Sequence, residues 1–229
     1  MSKQELDVVE AQWNALPNYI NDANVLPMVD SSGSMTCPAG GYGSNSGLTC
    51  LEVAISLGLY FADKNKGKFA DCFLTFSRNP KLVNLHGNIN DKIDQMNTGE
   101  VANTNLNAAF DLILSTAKKN GVPQAEMPET LVIFSDMQFD GAVDGRDESA
   151  IKMMERKYKD AGYTLPNVVF WNLNASYGNT PVKFDKSGTA LVSGFSPAVA
   201  GGILGGNMDD FTPEAIMLKT VMKPRYDLA

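Results

Sequence analysis

Two acidic residues each close an apolar run. Val25–Val29 (VLPMV) stops at Asp30, and Thr130–Ser135 (TLVIFS) stops at Asp136. Asp30 is followed at once by Ser31, Ser32, Gly33 and Ser34. Because Asp30, Ser32 and Ser34 alternate, an extended turn can aim their three oxygens at one point, and Gly33 lets the backbone bend between the two hydroxyls. An oxygen-only set suits a hard cation such as Mg²⁺, with Mn²⁺ or Ca²⁺ as alternatives. Hydroxyls are neutral ligands, so a cation held this way keeps much of its charge and can attract a carboxylate from another molecule. The plainer reading is that the two acids cap loops at strand ends.

To meet, these residues must be carried by a sheet. Leu6, Val9, Trp13 and Leu16 fall at helical spacing, which predicts an opening helix ending near Pro17. The run from Asn24 to Asp30 reads as a strand with a local irregularity at Pro27, since proline has no ladder donor. Residues 36–47 are turn-formers and make a long loop, followed by a helix with Val53, Leu57 and Phe61 on one face. Phe69–Phe76 reads as a strand, and residues 81–85 pair with it across the turn at 77–80. Leu106, Phe110, Ile113 and Ala117 form a helical stripe closed by Gly121 and Pro123. Strands are expected at residues 130–135, 167–171 and 190–193, a helix at 148–161, and a terminal helix from Thr212 with Pro213 in its first turn. Such alternation implies an α/β fold, doubly wound, with a mostly parallel sheet, one antiparallel edge strand and helices on both faces. One domain is expected over 1–229: an N-terminal helix (1–22), a core (23–200) and a helical tail (201–229). In open α/β sheets ligands bind outside the carboxyl ends of the strands, where the strand order reverses. Asp30 and Asp136 stand at such ends.

Composition narrows the chemistry further. The 229 residues are 44% hydrophobic and 20% charged, with net charge -7 and pI about 4.7. An acidic balance argues against direct nucleic-acid binding, which needs a basic surface. Lys118 and Lys119 sit at a helix end, where cations favour the dipole. Three cysteines are too few for a disulfide framework. Cys37 and Cys50 could pair in an oxidising compartment, but free thiols in a reducing one are favoured, and Cys72 reads as core. The N-terminus lacks a signal-peptide run and no stretch reaches 18 apolar residues, so a cytoplasmic chain without a membrane span is expected.

His86 is the single histidine. That disfavours both a Ser-His-Asp triad and a Cys/His zinc site, and it reads as an exposed loop residue. Residues 40–43 (GGYG) lack the ending of a phosphate loop. They read as a flank of the metal loops, with Tyr42 as a partner contact. Asp140, Asp144 and Asp147 lack calcium-loop spacing and read as a solvated acidic loop. Trp13, Phe170 and Trp171 read as core, and Met35 and Met137 as packing residues that could also rim the site.

The spacing Asp-x-Ser-Gly-Ser after an apolar strand resembles the metal-ion-dependent adhesion site of von Willebrand factor A (VWA) domains. That family adds a Thr from a later loop and an Asp after a further strand. Thr104, in ANTNL just before a helix, and Asp136, in LVIFSD, match these. The resemblance implies a Rossmann-like VWA fold in which Ser32 and Ser34 ligate directly, Thr104 directly or through water, and Asp30 and Asp136 often through water. A more specific likeness covers the chain from end to end. QWNALP at 12–17, VLPMVDSSGSM at 25–35, FSDMQF at 134–139, FWNL at 170–173 and LVSGFS at 191–196 look like the VWA half of an uncharacterised family. Its members are often longer, with a preceding helical region similar to the Ro ribonucleoprotein. This chain lacks that region and reads as a stand-alone form, viral among the options, or as a fragment. Met1 fits the former.

Three functions follow as expectations. The first is a non-enzymatic protein-binding module whose metal a partner Asp or Glu completes. Another is a structural component of a ribonucleoprotein or viral assembly. The third is a metal-assisted phosphoester hydrolase with Asp30 as nucleophile, for which Ser32 stands where a second acid would be needed.

Overall fold

The computed structural model describes residues 2–20, 23–41, 45–99, 105–136, 148–174 and 189–195. Helix α1 (Lys3–Asn14) begins at a reciprocal cap between Ser2 and Glu5. It ends before the expected Pro17 boundary, because a residue preceding proline is pushed out of the helical region. Leu16 therefore leaves the predicted stripe and is exposed. Along the chain then come β1 (Val25–Val29), α2 (Cys50–Lys64), β2 (Cys72–Thr75), β3 (Leu82–Asn84) and α3 (Ile89–Met96). They are followed by α4 (Leu106–Asn120), β4 (Thr130–Ser135), α5 (Glu148–Asp160), β5 (Asn167–Asn172) and β6 (Thr189–Ser193).

The strands form one six-stranded sheet in the order β3-β2-β1-β4-β5-β6. Every neighbouring pair is parallel except β2 and β3, which run antiparallel at the edge as expected. The chain winds outward from β1 in one direction, then returns to place β4 on its other side. Order reverses between β1 and β4, so the residues that follow these two strands, Asp30 and Asp136, flank the switch point. Pro27 is accommodated at the centre. The β1–β4 ladder takes in all five residues of β1, whereas the β1–β2 ladder holds only Met28 and Val29, after the residue that has no N–H to give.

Alternation along the strands splits the core in two. Val25, Val29, Val132, Phe134 and Trp171 face α1, α2 and α3, whereas Leu26, Met28, Leu131, Ile133 and Phe170 face α4 and α5. Burial on both faces is why β1 and β4 read as continuous apolar runs. On the first face Phe61 of α2 stands edge-on to Phe134 (ring centres 5.3 Å apart) and to Trp171 (5.8 Å). Gly58 brings the same helix close to β1. A Cβ there would lie 2.4 Å from Val29 Cγ2 and 2.9 Å from Met96 Cε. Helix propensity alone would reward Gly58→Ala by about 1 kcal/mol. Overpacking against a β-branched residue of a central strand costs about 1–3 kcal/mol. Net destabilisation is the expected result in a urea titration, and a more stable variant would show that β1 can yield.

Two other expectations change, and one helix is added. The strand predicted over Phe69–Phe76 shortens to β2, because Asp71 takes a left-handed backbone (φ 53°) inside a turn. Helix α3 forms where the sequence reading places no element. Asn88 caps it by accepting from the N–H groups of Asn90 and Asp91, while Asp91 accepts from the N–H of Asn88. Trp13 is only half-buried, its indole N–H donating to Asp63. Phe170, Trp171 and Cys72 are buried, and His86 is exposed with Nδ1 3.2 Å from the Asn84 carbonyl oxygen. The tail helix expected from Thr212 and Pro213 lies outside the described residues, as do Tyr42, Met137, Asp140, Asp144 and Asp147.

Candidate metal centre

Asp30 leaves β1 with its N–H donating to the carbonyl of Phe134, so the first residue after β1 is pinned to β4. Asp30 is 2% exposed and its carboxylate is doubly held. Oδ1 accepts from the Ser32 N–H at 2.9 Å, and Oδ2 accepts from the Ser135 hydroxyl at 2.8 Å. Ser32 is extended and stands at the N-cap of a 3-10 turn, Gly33–Thr36. A serine there usually spends its hydroxyl on capping, but this one makes no capping bond and lies 3.0 Å from Ser34 Oγ. The geometry differs from the expected extended turn, and so does the role of Gly33. Its φ is not positive and a Cβ would meet nothing within 4 Å, so the bend does not demand glycine.

Asp136 is 3% exposed and follows β4. Its N–H donates to the sulfur of Met35 at 3.2 Å, which ties the 3-10 turn to the end of the neighbouring strand. Met35 is itself fully buried. Burial pushes the Asp30 carboxyl above the ordinary carboxylate range. Hydrogen bonds from Ser32 and Ser135 work against that shift, and the charge of Asp136 adds to it. Among the described residues no Lys or Arg forms a salt bridge with Asp30.

Of the five residues expected at the site, the structure brings together Asp30, Ser32, Ser34 and Asp136. Thr104 lies outside the described residues. Its neighbour Asn105 caps α4 by accepting from the Ala108 N–H, and donates its own N–H to the carbonyl of Ser77 just past β2. The donor set fits a small hard cation. Oxygens at the 2.0–2.1 Å that Mg²⁺ demands lie about 3 Å apart along an octahedral edge, which is the spacing of the two serine hydroxyls. Among the described residues there is no cluster of three or more His, Cys, Asp or Glu, so the chemistry on offer is two carboxylates with hydroxyls, not a thiolate or imidazole site.

Four polar residues around the centre are not singled out by the motif. Ser135 fixes Asp30, as above. Ser31 shares a 2.9 Å hydroxyl contact with Thr98, joining the loop after β1 to the one after α3. The Ser77 hydroxyl is buried and meets no hydrogen-bond partner among the described residues. A signal for Ser135 was present in the sequence: a serine at the end of a buried run must find a partner. Ser31, Ser77 and Thr98 carry no comparable signal.

The Ro (RSR) protein of Deinococcus radiodurans overlaps with a TM-score of 0.58 at 16% identity, covering 90% of this chain and 38% of that one. The overlap concerns the fold, and with the sheet order it agrees with the expected Rossmann-like VWA architecture. The VWA domain of SpRpn10 aligns less closely, at a TM-score of 0.41 and 12% identity over 83% of this chain and 95% of that one. "Uncharacterized protein L728" of Acanthamoeba polyphaga mimivirus is 33% identical over 232 residues. That alignment takes in 98% of this chain and 38% of the viral protein, so the chain spans well under half of its relative. Residues 24–221 match the family described as a domain of unknown function, DUF7788, and the chain belongs to that family.

Proposed function

We propose that this chain is a divalent-metal-dependent protein-binding module, and not an enzyme, whose partner contributes an Asp or Glu. One observation carries the reading: two serine hydroxyls 3.0 Å apart stand beside a buried acid pair at the switch point of the sheet. Ser32 and Ser34 would hold the cation directly, with Asp30 and Asp136 orienting bound water and Thr104 completing the set. When bound, Mg²⁺, or Mn²⁺ or Ca²⁺ in its place, supplies a positive charge that neutral hydroxyls leave largely uncancelled. Ser135 and the Ser32 N–H keep the Asp30 carboxylate in place before any ligand arrives.

The same bonds disfavour the hydrolase reading. A nucleophile must be reachable, and both Asp30 oxygens are engaged while the residue is 2% exposed. No helix among the described residues is long and apolar enough to cross a membrane. We place the module in the cytoplasm, that of the host for a viral relative.

Calorimetric titration with Mg²⁺ and Mn²⁺ tests the metal, and an array of Asp- and Glu-containing peptides tests the partner. The wild type is expected to take up one ion and Ser34→Ala at least tenfold less tightly. Acidic peptides should bind in Mg²⁺ and be released by chelator. Peptide binding that survives chelation would overturn metal dependence and favour a structural role in a ribonucleoprotein or viral assembly.

A further inference from the structure

Beside the 3-10 turn that carries Ser34, the thiols of Cys37 and Cys50 stand 3.4 Å apart. The surrounding backbone explains the meeting. Pro38 and Thr49 form an antiparallel bridge, framed by the bonds Ala39 N–H to Leu48 C=O (2.8 Å) and Cys50 N–H to Cys37 C=O (2.9 Å). Both bonds lie outside the Pro38–Thr49 pair, so the proline occupies a position where no N–H is required. The next pair along is Cys37 opposite Cys50. This pair makes one of the two bonds of a full antiparallel pair, the Cys37 N–H being used elsewhere; a full pair holds its Cα atoms about 5.5 Å apart, within the span a disulfide bridges, about 4.4–6.8 Å.

We propose that Cys37 and Cys50 are a redox modification site that forms a reversible intrachain disulfide. The two sulfurs are already in contact, and bonding needs them to close from 3.4 Å to the length of a disulfide bond, about 2.0 Å. Their exposures differ: Cys37 is half-buried whereas Cys50 is fully buried. Cys37 therefore meets the oxidant, and Cys50 resolves the product. With hydrogen peroxide as oxidant, the Cys37 sulfur attacks one peroxide oxygen, the O–O bond breaks, and a sulfenic acid and one water form. The Cys50 sulfur then attacks the sulfenic sulfur, the S–O bond breaks, and the departing hydroxide takes the Cys50 proton as a second water. Overall two thiols are oxidised to one disulfide and one peroxide is reduced to two waters.

The bridge has a defined mechanical effect. The Cys37 N–H closes the Ser34 turn by donating to the Ser34 carbonyl, and Cys50 is the first residue of α2. Oxidation would clamp one to the other. It would also surrender the bond that the Cys50 thiol donates to the Leu173 carbonyl at 3.2 Å. Cys72 is an internal control, since it is buried in the core on the opposite face of the sheet.

The test does not depend on metal binding. The folded protein is treated with hydrogen peroxide, quenched, unfolded, and its thiols counted. The expected count falls from three to one in a monomer, returns to three with dithiothreitol, and does not fall by a pair in Cys37→Ser or Cys50→Ser. Peptide mapping of the oxidised wild type, which needs no variant to fold, should find Cys37 and Cys50 in one linked fragment. Three surviving thiols, a link through Cys72, or a bridge between chains would overturn the proposal.

Discussion

Asp30→Asn is expected to abolish the response to Mg²⁺ while leaving the metal-free protein at least as stable as the wild type. The amide has the shape of the carboxylate. Its oxygen can accept from the Ser32 N–H, and its nitrogen can donate to the Ser135 hydroxyl in place of the bond now running the other way. What disappears is a charge that burial and the neighbouring Asp136 both disfavour. The direction of the pH dependence follows. With its folded value raised above the unfolded one, Asp30 keeps its proton longer in the native state. Stability is fully present below the ordinary carboxylate range and is lost as pH rises through the raised value. Metal-free wild type and variant should therefore converge at about pH 4 and separate towards neutrality, the wild type being the weaker. Saturating Mg²⁺ reverses the ranking. At a hundredfold excess over Kd a ligand adds about 2.7 kcal/mol. For a chain of this size each kcal/mol moves Tm by roughly 2–4 °C. Thermal unfolding across this pH range, with and without Mg²⁺, reads both effects. A variant that Mg²⁺ still stabilises as it does the wild type would remove Asp30 from the site.

The second large effect is expected from Phe61→Ala. Phe61 is fully buried and joins α2 to the first face of the sheet through edge contacts with Phe134 and Trp171, and it also meets Tyr60 at 6.0 Å. Truncating such a ring removes its transfer energy and leaves a cavity that β4 and β5 cannot fill. The cost is about 3–5 kcal/mol, a large share of the stability of an ordinary domain. Urea unfolding should show the midpoint falling at unchanged slope. A loss below about 1.5 kcal/mol would mean that the site collapses around the smaller side chain.

The elements easiest to read in the sequence are those whose signal is local and dense. Val25–Val29 and Thr130–Ser135 are apolar throughout because both faces of a central parallel strand are covered, and each stops abruptly at its acid. The stripe of α4 and its stop at Gly121, which takes φ 59°, are equally local. Helix α3 was not legible, since its eight residues are mostly polar and only the reciprocal Asn88–Asp91 cap marks its start. Leu16 has helical spacing, but Pro17 overrules it. At the candidate centre the motif itself points to Asp30, Ser32, Ser34 and Asp136, whereas the Thr98 and Ser77 hydroxyls depend on which loops meet. The cysteines illustrate the same limit. A spacing of thirteen residues leaves pairing open, and the bridge at Pro38 and Thr49 puts the two side by side.

The bond from Ser135 to Asp30 links residues 105 positions apart. Closing so long a loop is entropically costly, and contacts of that range form late in folding. A chain still emerging from the ribosome has the Asp30 loop complete long before β4 exists to dock beside it. The acid pair is consequently assembled only when β4 docks beside β1. Cation capture would then mark a chain in which β4 is in place, and one that has not reached it could not be recruited by a partner ahead of time.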